Sequence, residues 1–403
     1  MHRSEKRILR ALRRPFEWAG VFIGYIVLSN LPRRAMLAVC DFAAGVMYFF
    51  DRRGRALALT NLRVIYGRDI PGAEKIVRRS YRSMARTVGH AFWTCRNAKA
   101  RAAAAGEMSD EGKAFLAANR PAVTVSAHLG CWEILSQLAF LEGHRMMSVA
   151  KDIGTSGMTR LLMKARRSIG QEIVHADGAF RPLMQGLKDG KSLGLLVDQV
   201  VKPRNGGVWV RFFGRPVPVS AAPAFFAAKG KAPVVIAWSR PLKDGRWRCE
   251  IVSSYRPEDA RDIWGFTQGC IRDLERVIRR HPSCWVLNYR YFRKTPTADE
   301  LAQLEDALEL GEARVVVEDA VVGEALVKRI RVPVREGQVV VDLEVLAVAF
   351  ERVSGVNGEE LAADEALVLP CAGMPSIRVM SLARASRTAP TEASSAVVRR
   401  KVR

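Results

Sequence analysis

Residues 122–137, AVTVSAHLGCWEILSQ, place a strand pattern directly before a helix pattern. The run from Ala122 to Ala127 is apolar and β-branched, which predicts a buried strand, and apolar residues resume at helical spacing from Ile134 to Phe140. Between these two segments lie an imidazole, a glycine and a carboxylate, which belong to His128, Gly130 and Glu133. The sequence therefore predicts a strand, a tight loop, and a helix with a carboxylate in its first turn.

The imidazole and the carboxylate of this stretch are a candidate catalytic pair. Residues five apart on a continuous helix point about 140° away from each other, so His128 and Glu133 meet only if the backbone bends, as Gly130 permits. Such a pair supports base catalysis, because a carboxylate on one imidazole nitrogen fixes the tautomer while the other nitrogen accepts a proton. A buried histidine that merely satisfies a glutamate at a helix terminus is the alternative. Placement at the carboxyl end of a strand, where open α/β sheets build their sites, favours catalysis.

Composition limits the class of protein and its partners. The chain has 403 residues, 49% of them hydrophobic, which is enough for one large domain plus an appendage. The formal net charge is +23, with +27 in residues 1–299 and −4 in residues 300–403. The cationic part should attract nucleic acid, acidic lipid headgroups or an acidic carrier protein. The seven cysteines are scattered without CxxC spacing, which predicts free thiols rather than disulfides or a zinc site.

The first 53 residues resemble a membrane anchor. A basic arm, residues 1–15, precedes two apolar stretches, Phe16–Leu31 and Ala35–Phe50, and each is shorter than the roughly 20 residues of a clean transmembrane helix. Basic pairs flank both stretches: Arg13 and Arg14, Arg33 and Arg34, Arg52 and Arg53. This pattern favours a tilted anchor or a helical hairpin lying in the cytoplasmic leaflet. A signal peptide and a pair of buried core helices are the alternatives.

We predict that residues 54–298 form one α/β domain with a mixed, largely parallel sheet flanked by helices. Residues 55–120 have a helical pattern, and strand and helix patterns alternate after them. Gly214–Pro218 is predicted to be a turn. β-branched segments predict a small β-rich module over residues 299–379, and composition predicts a disordered tail over residues 380–403.

Two segments of the α/β domain carry further candidate site residues. Ser192–Val197 is a predicted strand that ends in Asp198 and Gln199. Met158–Ile169 is a predicted basic helix that includes Arg166 and Arg167.

The order of several motifs resembles the bacterial lipid A biosynthesis acyltransferases, within the HX4(D/E) glycerolipid acyltransferase superfamily. HLGCWE at His128–Glu133 is similar to the HxGNWE form of their signature, with Cys131 in place of the common Asn. The resemblance, which covers residues 15 to 295, continues in LLVDQ ending at Gln199, VWVRFFGRPVPVS at 208–220, APVVIAW at 232–238 and CWVLNYRYFRK at 284–294.

This resemblance implies transfer of a fatty acyl chain from an acyl thioester to a hydroxyl of a membrane glycolipid, with a lipid A precursor as the expected acceptor. It implies that His128 is the general base and Glu133 its orienting partner. Arg166, or its neighbour Arg167, would hold a phosphate or stabilise the oxyanion. The strand-end pair, Asp198 and Gln199, would position the acceptor or bind Arg166, and a purely structural strand-end aspartate is the alternative.

The implied donor is acyl carrier protein, since an acidic carrier suits a domain of charge +27, and acyl-CoA is the alternative. The implied location is the cytoplasmic face of the inner membrane, and no metal, cofactor or nucleic acid is expected. Three other hypotheses stay open: an acyltransferase for another glycolipid such as an inositol mannoside lipid, a non-catalytic basic protein that binds membrane or nucleic acid, and Cys131 as a thiolate nucleophile.

Overall fold

The structure, a computed structural model, describes residues 19–150, 159, 163, 164, 166–176 and 178–314, and seven short strands between residues 321 and 399. The predicted basic arm, residues 1–15, and parts of the predicted helix Met158–Ile169 lie outside the described residues. Contacts divide the chain into two units, Met1–Thr297 and Ala298–Arg403.

The first unit is built on a mixed sheet. Its strands are β1 (Gly106–Met108), β2 (Val123–Ser126), β3 (Met146–Ala150), β4 (Glu172–His175), β5 (Ser192–Leu196), β6 (Gly207–Phe212), β7 (Arg215–Ser220), β8 (Val234–Pro241) and β9 (Trp247–Tyr255). Seven of them form one sheet in the order β1-β9-β8-β2-β5-β3-β4. Neighbouring strands are parallel except β8 and β9, which are antiparallel. The predicted α/β class with a mixed, largely parallel sheet is therefore confirmed.

Helices cover both faces of this sheet. They are α1 (19–30), α2 (Arg33–Phe50), α3 (Arg52–Tyr66), α4 (Ala73–Trp93), α5 (Ala98–Ala105), α6 (Asp110–Ala118), α7 (Trp132–Leu141), α8 (described at 163, 164 and 166–168), α9 (Phe180–Lys188), α10 (Ala222–Gly230) and α11 (Ile263–Arg280). Successive side chains of a strand point to opposite faces, and β8 illustrates this. Ile236 packs in the core shared with α9, α10 and α11, whereas Ala237 packs in the core shared with α7 and α2.

The predicted turn Gly214–Pro218 is wrong, because most of it belongs to a strand. β7 pairs antiparallel with β6, so that the two form a separate hairpin. Pro216 and Pro218 lie within β7, opposite Arg211 and Trp209. Proline lacks an N–H, and β7 tolerates it because this strand has a partner on one side only.

The two apolar N-terminal stretches form helices, as predicted. α2 buries one face, which includes Met36, Cys40 and Ala44, and its Asp41 accepts two hydrogen bonds of 2.7 Å from Arg86 of α4. Its opposite face, which includes Phe42 and Phe50, is exposed. Across the described residues, every helix lacks either the length or the hydropathy that a bilayer crossing requires.

The second unit begins with α12 (Ala298–Arg314). The described strands that follow are β10 (Val321–Val322), β11 (Ala325–Leu326), β12 (Val334–Arg335), β13 (Gln338–Val341), β14 (Leu367–Leu369), β15 (Ile377–Val379) and β16 (Ala396–Arg399). They pair antiparallel as β10-β11, β12-β13-β16 and β14-β15. Apart from β16, the predicted disordered tail lies outside the described residues.

Candidate active site

Two neighbouring parallel strands deliver the central histidine and a buried aspartate to the same edge of the sheet. β2 and β5 are hydrogen-bonded to each other, with Ser126 opposite Leu196. His128 lies two residues after Ser126, and Asp198 lies two residues after Leu196. Since parallel strands end at a common edge, the two side chains leave the sheet side by side.

His128 and Asp198 form a hydrogen-bonded pair. Nδ1 of His128 lies 2.8 Å from Oδ1 of Asp198, and the His128 backbone N–H donates to Oδ2 over 3.0 Å. An ionised carboxylate only accepts hydrogen bonds, so Nδ1 carries the proton and Nε2 carries the lone pair. The His128 side chain is 20% exposed, whereas the Asp198 side chain is 0% exposed. The basic nitrogen is therefore fixed by a buried acid and still accessible from outside.

The surroundings of Asp198 keep it ionised. Burial raises the pKa of a carboxyl group, but the His128 ring and the hydrogen bonds donated by His128 and Trp285 outweigh it. The pKa of Asp198 consequently lies below its ordinary value. The site thus holds a carboxylate that can orient the imidazole and stabilise an imidazolium.

Gln199 lies against the other ring nitrogen. Its Nε2 is 3.3 Å from Nε2 of His128, and the amide group can only be the donor there. A hydroxyl that gives its proton to His128 would approach the same lone pair. Gln199 therefore lies at the position that such a hydroxyl would have to enter.

Glu133, the carboxylate predicted to contact His128, instead binds Arg166. Nε of Arg166 donates to Oε2 over 3.0 Å and Nη2 donates to Oε1 over 2.7 Å, which is a bidentate pair. The Glu133 side chain is 8% exposed and the Arg166 side chain is 13% exposed. Burial raises the pKa of Glu133, but the charge and hydrogen bonds of Arg166 outweigh it, so that the pKa lies below its ordinary value.

The predicted hydrogen bond between His128 and Glu133 is therefore wrong. Of the two roles considered for Asp198, binding to Arg166 is not seen, since Arg166 binds Glu133 and Asp198 binds His128. The predicted bend is present: Gly130 has φ +63°, and a Cβ there would lie 2.0 Å from the backbone oxygen of Ser239. The bend starts α7 at Trp132, and it leaves Glu133 facing α8 rather than the edge where His128 lies.

Trp132 connects the His128–Asp198 pair with the Glu133–Arg166 ion pair. Its ring packs edge-on against the His128 ring, with centroids 5.0 Å apart, and its Nε1 donates to Oε1 of Glu133 over 3.1 Å. The Glu133–Arg166 pair thus holds the indole that packs against the imidazole. Trp132 lies between His128 and Glu133 in the sequence, and that position was the signal for a role that was not predicted.

This arrangement of an accessible imidazole nitrogen backed by a buried carboxylate can take a proton from a substrate hydroxyl. The model of the bacterial lipid A biosynthesis acyltransferase family matches residues 3–294. The chain belongs to this family. The protein is accordingly an O-acyltransferase, and its family acts in lipid A biosynthesis. A comparison with curated protein sequences gave no match.

The remaining candidate residues of the acyltransferase differ in exposure. Arg167, next to Arg166, is exposed on α8. Cys131 is buried, and burial raises the pKa of its thiol above the ordinary value, which disfavours a thiolate nucleophile. Within the described ranges, no group of three or more His, Cys, Asp or Glu side chains is arranged to hold a metal ion.

We expect Glu133→Gln to destabilise the acyltransferase by about 3–5 kcal/mol, because it leaves the Arg166 charge buried without its partner. Urea unfolding measures this difference. The matched control is Glu172→Gln. Glu172 is 47% exposed and lies between Lys191, 15% exposed, and Arg145, 62% exposed, so water reaches its carboxylate and these pairs should contribute about 1 kcal/mol or less.

The difference in unfolding free energy between wild type and Glu133→Gln should depend on pH. Since the pKa of Glu133 is lowered in the folded state, its stabilisation is complete above the ordinary glutamate pKa and disappears as the pH falls through the folded-state value. The difference between wild type and Glu133→Gln should therefore shrink in acid. Equal stability of Glu133→Gln and Glu172→Gln at neutral pH would contradict a stabilising role for the buried pair.

Proposed function

We propose that this acyltransferase moves a fatty acyl chain from acyl carrier protein to a hydroxyl of a lipid A precursor, with His128 as general base and Asp198 as its orienting partner. The single observation that carries the proposal is the 2.8 Å contact of Asp198 with Nδ1 of His128, which leaves Nε2 unprotonated at an accessible edge. Family membership supports the reaction class.

The reaction proceeds in two steps. Nε2 of His128 accepts the proton of the acceptor hydroxyl while the hydroxyl oxygen attacks the thioester carbonyl, which gives a tetrahedral oxyanion and an imidazolium. Asp198 stabilises this imidazolium across the Nδ1–H bond. The intermediate then collapses, the C–S bond breaks, and the leaving thiolate takes the proton from Nε2. The products are an ester and a free thiol, and no acyl-enzyme forms.

Gln199 and the arginines have roles in binding. The acceptor hydroxyl replaces the Gln199 amide at Nε2 of His128, and the displaced amide is then free to bind the acceptor. Arg166 is neutralised by Glu133, so its first role is to hold the start of α7 in place. Exposed Arg167 is the better candidate to bind a phosphate of the substrate.

Charge favours acyl carrier protein over acyl-CoA as the donor. Residues 1–299 carry a formal charge of +27, and an acidic protein surface engages more of that charge than a single nucleotide does. Purified protein should be assayed with the same acyl chain on both donors, and with a lipid A precursor and an inositol mannoside lipid as acceptors. Mass spectrometry should show an added acyl chain on the lipid A precursor with the carrier-protein donor. Product only on the inositol mannoside lipid would reject the proposed acceptor, and faster turnover with acyl-CoA would reject the proposed donor.

We also propose that α1 and α2 dock the protein on the cytoplasmic surface of the inner membrane. The outward faces of these helices carry large apolar side chains: Phe22, Ile23, Ile26, Val27, Val39, Phe42, Val46, Met47, Phe49 and Phe50. Phe42 and Phe50 are each 75% exposed, and water is an unfavourable environment for such rings. Exposed Arg34, Arg52 and Arg53 lie at the two ends of α2, where anionic headgroups would pair with them.

The triple variant Phe42→Ser, Phe49→Ser, Phe50→Ser should lose binding to vesicles at least about fivefold, because three rings no longer enter the bilayer. Flotation with vesicles of phosphatidylethanolamine and phosphatidylglycerol, at a ratio of about three to one, measures this. Leu141→Ser removes an exposed apolar side chain at the end of α7 and should float like wild type. Equal flotation of both variants would reject α2 as the docking surface, and complete release of wild type by salt alone would show a purely electrostatic attachment.

A further inference from the structure

The segment that follows α11, residues 282–291, holds the loop that carries His128. The backbone N–H of Val286 donates to the His128 carbonyl over 3.1 Å, and the N–H of Gly130 donates to the Cys284 carbonyl over 2.8 Å. These two bonds join the segment to the loop on both sides of Leu129. The position of the imidazole therefore depends on this segment.

Helices α3 and α4 fix the segment in turn. Nδ2 of Asn61 donates to the carbonyls of Leu287 and Tyr289 over 2.6 and 2.8 Å. Ser80 donates from its hydroxyl to the carbonyl of Trp285 and accepts from the N–H of Leu287 over 3.3 Å. The segment is thus a rigid support whose polar backbone groups are paired with buried side chains.

Trp285 is the side chain through which this support reaches the candidate catalytic pair. It is fully buried, and its Nε1 donates to Oδ2 of Asp198 over 2.9 Å. Its ring stacks on Tyr291, with centroids 4.1 Å apart and an angle of 20° between the planes. The Tyr291 hydroxyl is 3.4 Å from the same Oδ2.

The two carboxylate oxygens of Asp198 have different hydrogen-bond partners. Oδ2 accepts from the His128 backbone and from Trp285, whereas Oδ1 contacts Nδ1 of His128. An indole N–H only donates, so Trp285 stabilises the carboxylate and not its protonated form. Because these donors hold Oδ2 in place, the other oxygen, Oδ1, points toward Nδ1 of His128.

We propose that Trp285 is a positioning residue for the acyl transfer, which acts through Asp198 by fixing Oδ2 and thereby aiming Oδ1 at Nδ1 of His128. This inference rests on the proposed function of the His128–Asp198 pair. Trp285 itself does not touch substrate.

Trp285→Phe keeps an aromatic ring and removes the donor. We expect kcat to fall about 10- to 100-fold, which is the effect of losing a buried hydrogen bond to a charged group, with KM within about twofold of wild type. Asp198 becomes more basic without this donor, so the imidazole holds its proton more tightly. The acidic limb of the kcat/KM profile should therefore move to higher pH. The proton NMR signal of Nδ1–H of His128 should shift as well.

The matched control is Trp264→Phe, because Nε1 of Trp264 donates over 2.7 Å to the backbone carbonyl of Trp209, away from Asp198. This variant should leave the pH profile and the Nδ1–H signal unchanged. Where Trp285→Phe does not fold, 3-benzothienylalanine at position 285 replaces only the N–H by sulfur and gives the same readouts.

Identical pH profiles and Nδ1–H signals in the two phenylalanine variants would overturn the inference. An inactive wild-type protein would reject the proposed function instead. The NMR comparison still decides whether Trp285 sets the His128–Asp198 contact.

Discussion

Replacing His128 by alanine should lower kcat by about 10³- to 10⁴-fold, because it removes the nitrogen that takes the proton from the acceptor hydroxyl. The side chain is 20% exposed, and Oδ2 of the buried Asp198 still accepts from the backbone N–H of residue 128 and from Trp285 after the ring is removed, so the fold should persist. The measurement is a steady-state assay with acyl carrier protein donor and lipid A precursor, run beside urea unfolding. KM should change little, since the imidazole acts mainly in the transition state.

His175→Ala is the matched control for this variant. His175 ends β4 at the same edge of the sheet as His128 and is exposed. It should retain activity within about twofold, as surface substitutions generally do. A His128→Ala protein with more than about a tenth of wild-type turnover would contradict general-base catalysis by this residue.

The same variant separates the enzyme from the non-catalytic alternatives. His128→Ala should still float with vesicles, because α1 and α2 are unchanged. A protein that only binds membrane or nucleic acid would show no acyl transfer in wild type either. Binding to nucleic acid would fall steeply with salt, whereas docking of exposed phenylalanine rings should persist.

Much of the fold was predictable because strands and helices leave local patterns. The strand before His128 and the helix after Cys131 were predicted within a few residues, as was the strand that ends at Asp198. Gly130 was predicted to bend the chain, and its φ of +63° confirms this. These features follow from side-chain periodicity and from the freedom of glycine.

The partner of His128 was not predictable in the same way, because it depends on strand order. Glu133 was chosen as partner since it is near in sequence, whereas Asp198 is 70 residues away and meets His128 only because β2 and β5 are neighbours. Asp198 was recognised as a strand-end acid, but it was expected to position the acceptor or to bind Arg166 rather than to contact His128. The catalytic hypothesis depended on a carboxylate at the imidazole, and it stays a prediction, now with Asp198 as that carboxylate.

Asp198→Asn should lower kcat by about 10³- to 10⁴-fold although it changes one atom, because it reverses the tautomer of His128. Three donors face Oδ2, namely the His128 N–H, the Trp285 indole and, at 3.4 Å, the Tyr291 hydroxyl, so the amide oxygen will take that position. The amide NH₂ then faces Nδ1, which has to accept, and the ring proton moves to Nε2, where a base is needed. The measurement is kcat beside NMR detection of the protonated ring nitrogen.

The matched control for Asp198→Asn is Asp273→Asn. Asp273 is also buried and accepts from the Tyr255 hydroxyl over 2.6 Å, at a point away from His128. Both variants lose a buried carboxylate, but only Asp198→Asn should lose turnover beyond its loss of stability. If Asp198→Asn stayed within about tenfold of wild type while Glu133→Gln lost its activity in a folded state, the carboxylate that serves His128 would be Glu133. If only Asp198→Asn loses activity, the carboxylate that serves His128 is Asp198.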